Sequence, residues 1–94
     1  MIKKAVPLVV TTAHRGVFFG IGVPSDAPTI RLTEARMCLQ WSADVKGVLG
    51  LAATGPSSNC RVGPAVPAIT LRDVTSVMEA TPEATNKWAT IIWK

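Results

Sequence analysis

The chain has 94 residues, 48% of them apolar and only 17% charged, with ten Lys or Arg against six Asp or Glu and a net charge of +4. That length makes a single domain over residues 1–94, and a charged fraction below the usual ~25% in a chain with so much surface for its volume points to a homo-oligomer or to a partner covering part of it. The cations are scattered, with Lys3-Lys4 the only basic pair, which excludes a duplex-DNA footprint, and no apolar run approaches the ~18–20 residues that cross a bilayer.

Residues 1–13, MIKKAVPLVVTTA, imitate a signal peptide, but the apolar core AVPLVV is six residues long and contains a proline. Residues 5–13 are rich in β-branched side chains and predict a strand. AHRG follows as a turn, and VFFGIGV resumes the sheet, with Val17, Phe19, Ile21 and Val23 on one face and Phe18, Gly20 and Gly22 on the other. Two glycines on one face mark a sharp bend or a close approach of another chain segment. PSDAP is a loop and TIRL begins a new strand. Over TEARMCLQW, Ala35, Met37, Leu39 and Trp41 alternate with Glu34, Arg36, Cys38 and Gln40, which favours a strand over a helix capped by Thr33. SADVKG reads as a turn and VLGLAA as another strand.

The stretch LAATGPSSNCRVGPAVP, residues 51–67, carries two Gly-Pro pairs and reads as a long connection. Residues 65–80 predict a strand pair or one bent strand, with Pro67 near its start where a missing N–H costs least. Thr81-Pro82-Glu83 is an N-cap, a first-turn proline and a first-turn acid, and Ala84, Trp88, Ile91 and Ile92 form one apolar stripe, so a helix over about 82–93 closes the chain. Trp88, Ile91, Ile92 and Trp93 are the candidate interface residues.

Catalytic chemistry finds little to use. His14 is the single histidine, and a nucleophilic pair with Cys38 or Cys60 needs a spatial proximity the sequence does not give. The two cysteines stand 22 positions apart without a CxxC, neither a zinc framework nor a disulfide scaffold. The acids are isolated, so no metal site, cofactor or acid–base pair is expected. The chain reads as a non-enzyme, intracellular and reduced.

Binding is better served. Thr54, Ser57, Ser58, Asn59 and Arg61 offer hydroxyls, an amide and a guanidinium around Gly55, the materials of an anion nest, although the spacing is not that of a Walker A loop. If His14, Arg15 and Trp41 meet the same rim, they add cations and a stacking plane for a nucleobase and its phosphates.

Laid out in order, HRGVFFG, GLAATGP, CRVGPAVP and ITLRDVTSV resemble a family of small uncharacterised proteins encoded by phages and prophages, over about residues 8–88. The resemblance implies a phage origin and a host-cytoplasm setting, and no mechanism. A weaker likeness, carried by the Gly-bearing second strand, Leu32–Ala35 and LRDVTSV, is to Sm-like barrels, from which the C-terminal helix and the long 53–64 loop depart. The expected fold is therefore mainly β, a small strongly bent sheet or an SH3/Sm-like barrel with one C-terminal α-helix. The expected function is sequestration of a small anionic nucleotide signal of host anti-phage defence. The alternatives are a small-barrel RNA-binding protein, a protein-interaction inhibitor of a host factor and a minor phage structural protein.

Overall fold

The computed structural model describes residues 4–13 and 16–91. Six strands, β1 (Val6–Thr12), β2 (Val17–Gly22), β3 (Ile30–Gln40), β4 (Arg61–Val62), β5 (Val66–Leu71) and β6 (Val74–Glu79), two α-helices, α1 (Gly47–Ala53) and α2 (Pro82–Thr90), and a short 3-10 helix, Ala43–Val45, make up the described part of the domain. The sheet is antiparallel and ordered β4-β3-β2-β1-β6, with β5 also on β3. β5 takes the first half of β3, from Ile30 to Ala35, and β4 the second, at Cys38 and Gln40.

Connectivity forces the sheet to bend. β5 and β6 lie on opposite sides of the β3-β2-β1 centre, yet only Arg72 and Asp73 join them. Four inter-strand spacings across a flat sheet come to about 19 Å, whereas three peptide links reach about 11 Å. The two ends must curl toward each other. No ladder joins β5 to β6, so the sheet is strongly bent and not closed.

The bend makes two cores from the two faces of one sheet. Leu8 and Val10 point into the curl and meet Ile30, Leu32, Ala35 and Leu71. Val9, Val17 and Phe19 point outward and pack with Cys38 and Val62 under Leu51, Ala84 and Trp88 of the helices. The predicted glycine pair lies against Leu32 of β3. A Cβ on Gly20 would stand 2.7 Å from the Leu32 Cβ, and one on Gly22 would stand 2.8 Å from the Leu32 Cδ2.

β3 is the strand that the alternation predicts, but its phase changes midway. Phe19 is opposite Arg36 and Ile21 is opposite Thr33, so three steps on β3 face two on β2. The extra residue is a bulge at Glu34, whose φ is 50°. Beyond it Arg36 and Cys38 turn toward the helices and are buried, while Met37 and Leu39 are 38% and 49% exposed.

Two expectations are corrected. VLGLAA is not a strand but α1. Val48, Leu51 and Ala52 recur at i, i+3 and i+4 on its covered side, and Leu49, 74% exposed, faces away. The C-terminal helix is therefore not the only one. The 53–64 connection is also interrupted by β4, which ties it to the end of β3.

The last four carbonyls of α1 all find partners, which explains how so short a helix persists. Gly50 accepts from the N–H groups of Thr54 and Gly55, Leu51 from Trp88 Nε1 at 3.0 Å, Ala52 from the Thr81 N–H at 3.0 Å, and Ala53 from Thr81 Oγ1 at 2.6 Å. The same Thr81 hydroxyl accepts the Ala84 N–H at 3.1 Å and caps α2, followed by Pro82 and Glu83 as the sequence predicts. Trp88 is not an interface anchor in this fold. It is fully buried and stacked on Phe19, with ring centroids 5.2 Å apart. Ile91 packs on the same core, and Ile92 and Trp93 lie outside the described residues.

Candidate functional site

The end of β3 gathers most of the sequence-predicted binding residues. Arg61, on β4, lies opposite Gln40 and is exposed, one position from Trp41, itself 36% exposed. Ser57 comes to the same place, its hydroxyl 3.4 Å from Ser42 Oγ. The start of β2 lies at this end of the sheet, because Phe18 is opposite Met37. His14 and Arg15, expected in the turn before it, fall outside the described residues.

The loop itself is built differently from an open cradle. The Thr54 and Gly55 N–H groups both go to Gly50 O, at 2.8 and 3.1 Å, the Asn59 N–H goes to Ser57 Oγ at 3.3 Å, and the Cys60 N–H goes to Ser57 O at 3.0 Å. Thr54 Oγ1 donates to Gly50 O at 3.0 Å and so closes α1, not the rim. Gly55 is required twice over: its φ is 86°, and a Cβ there would meet Lys87 Cβ at 2.9 Å and Ala84 Cα at 3.0 Å. It seats the loop on α2.

An acid that the sequence reading did not single out stands among these groups. Ser42 donates to the Asp44 carboxylate, and the hydrogen bonds from Ser42, Ser57 and Asn59 hold Asp44 below the usual carboxylate range. Asp44 is thus the anion that the loop already serves. Ser42 and Asp44, two residues apart in a turn, were the available signal, but their tie to Ser57 and Asn59 is a tertiary one. What the rim presents outward is Trp41, Arg61 and the neighbouring polar surface of Ser58.

The cysteines lie beneath the rim, both buried. Burial pushes the Cys38 thiol up to about 11, and the neighbouring Cys60 adds to the rise. A thiol so placed stays protonated near neutrality, the reverse of an activated nucleophile.

Arg36 is the second residue that the strand pattern conceals. It is 7% exposed, and it donates from Nε to Gly63 O and from Nη1 to Trp88 O and Ile91 O, each at 2.8 Å. It thereby binds β3 to the end of α2, where the carbonyl ends of the helix favour a cation. The Glu34 bulge is what turns it inward.

No helix among the described residues is long and apolar enough to cross a membrane. No curated protein and no solved structure matches the chain. A family match covers residues 5–88, nearly all of the strands and helices described above. The chain belongs to the family described as a domain of unknown function, DUF6948.

Proposed function

We propose that this chain is a phage-encoded binding protein of the host cytoplasm that works without catalysis and sequesters a small anionic nucleotide signal of anti-phage defence. The observation that carries the reading is that a part-exposed indole and an exposed guanidinium stand one ladder position apart at the end of β3. Trp41 offers a face on which a base stacks, and Arg61 a fork for a phosphate. The loop of residues 54–60 is then the support of the site, not its contact surface, since the N–H groups of Thr54, Gly55, Asn59 and Cys60 and the hydroxyl of Thr54 are bonded within the chain. Sequestration needs affinity and abundance alone, which suits a domain whose two cysteines are buried and whose Cys38 thiol stays protonated near neutrality.

The test is native mass spectrometry of the purified protein with cyclic di- and trinucleotides, cyclic ADP-ribose isomers and a single-stranded RNA control. One nucleotide class retained at integer stoichiometry, and lost in both Trp41→Ala and Arg61→Ala, is the expected result. A protein that stays bare with every cyclic nucleotide overturns the reading.

A second reading has its own observation. Met37 and Leu39 of β3 and Trp41 just beyond its end are exposed apolar residues at alternate positions, as in a protein-binding strand. Under that reading, a module inhibiting a host factor, Met37→Ser with Leu39→Ser removes binding and Arg61→Ala does not.

A further inference from the structure

A cleft of about 460 Å³ lies on the helix side of the sheet, away from Trp41 and Arg61. Phe19 and Ile21 of β2 form its floor, Val66 and Pro67 of β5 one wall, and Ala89 of α2 the other, while Glu34 and Arg36 bring the two charges. The walls are almost wholly apolar. The charge at Arg36 is unusual for its depth. No described carboxylate pairs with it, and its three hydrogen bonds go to neutral backbone carbonyls.

Those bonds use the Nε hydrogen and both Nη1 hydrogens, three of the guanidinium's five N–H groups. No buried side-chain nitrogen among the described residues lacks a partner. The Nη2 group, which none of the three bonds uses, is therefore accessible, and Arg36 is one of the residues that line the cleft. An apolar slot with an arginine in its lining complements a molecule of opposite design: an apolar body ending in a carboxylate.

We propose that this cleft is a binding site for a small monocarboxylate with an apolar body, the carboxylate on Arg36 Nη2 and the body between Phe19, Val66 and Ala89. Glu34 stands at the same cleft with the wrong sign for such a ligand and weakens its binding. The site is independent of the nucleotide reading, which uses Trp41 and Arg61, residues that do not line this cleft.

The test uses a matched pair of probes, 4-phenylbutyrate and 4-phenylbutanol, titrated into the full chain and followed by amide and Arg Nε–H shifts in NMR. The acid is expected to shift Arg36 Nε–H and the Ala89 amide and to bind at least about tenfold tighter than the alcohol, the difference a charge-assisted hydrogen bond makes. Glu34→Gln tightens the acid by about two- to fivefold, the size of an exposed charge contact, and leaves the alcohol unchanged. Because replacing Arg36 also unfastens α2, the blocking variant is Ala89→Phe, at an exposed helix position, which abolishes binding of both probes at unchanged fold. Equal binding of acid and alcohol, shifts that avoid Arg36 and Ala89, or full binding by Ala89→Phe overturns the proposal.

Discussion

Replacing Trp88 separates the roles of core and contact surface. Its ring is fully buried, stacks on Phe19 with an interplanar angle of 8°, and donates to Leu51 O at 3.0 Å. Trp88→Ala removes a large core side chain and leaves a cavity, a loss of about 3–5 kcal/mol. A domain of 94 residues has only about 5–14 kcal/mol of stability in all, so the melting temperature falls by at least about 12 °C. Trp88→Phe keeps a ring against Phe19 but strands the buried Leu51 carbonyl, a cost of about 1–3 kcal/mol. Urea unfolding followed by far-UV circular dichroism reads both variants without relying on tryptophan fluorescence. The expected order of midpoints is parent, then Phe, then Ala, at a common m-value. The reasoning fails if Trp88→Ala unfolds at the parent's midpoint while native mass spectrometry shows a smaller assembly, because the side chain would then belong to an interface.

Gly20→Ala forces a methyl to within 2.7 Å of Leu32 Cβ and 3.1 Å of Thr33 O, so it destabilises by about 1–3 kcal/mol. A double-mutant cycle with Leu32→Ala recovers part of that loss if the clash is the cause. Cys38 is expected to resist iodoacetamide at pH 8 until urea unfolds the chain. Its folded pKa of about 11 exceeds the ordinary 9.0, so the unfolded chain gives up the proton first. Stability therefore declines as pH rises from 9 to 11, and Cys38→Ala flattens that slope in alkaline melts. Asp44 has the opposite sign: its pKa is depressed, so its contribution is present above the ordinary 3.8 and is lost as pH falls through the lower folded value. Asp44→Asn should remove that acid dependence from proteolytic nicking of the 54–60 loop, and unchanged acid nicking would refute the hydrogen-bonded carboxylate.

The parts of the fold that the sequence made legible are those that local chemistry dictates. Thr81-Pro82-Glu83 starts α2 because a cap, a fixed φ and an acid all act within one turn. The faces of β2 follow from strict alternation, and Gly20 with Gly22 marked the bend before Leu32 was known to fill it. Where a single residue changes the period, the pattern fails. The Glu34 bulge moves Met37 and Leu39 outward and draws Arg36 in, an exchange that no window over 33–41 contains. α1 was hidden because Val48, Leu49 and Leu51 suit either period over so few residues, and because its carbonyls are satisfied by Thr81 and Trp88, some 30 residues on. The candidate site shared that fate: Trp41 and Arg61 were named from their chemistry, while Asp44 emerged only once Ser57 and Asn59 were brought to it.

The Thr81 hydroxyl that caps α2 also closes α1, and this has a consequence for how the domain breathes. Seven residues of helix cannot hold themselves in water, so α1 opens whenever α2 lets go of Ala52 and Ala53. The two helices form one exchange unit: amide protons on α1 should exchange at the rate set by the start of α2, however far the loop between them extends. A molecule held by Trp41 and Arg61 at the rim of β3, where the 54–60 loop is the support, should slow that shared opening, so its arrival can be timed from protons on the far helix.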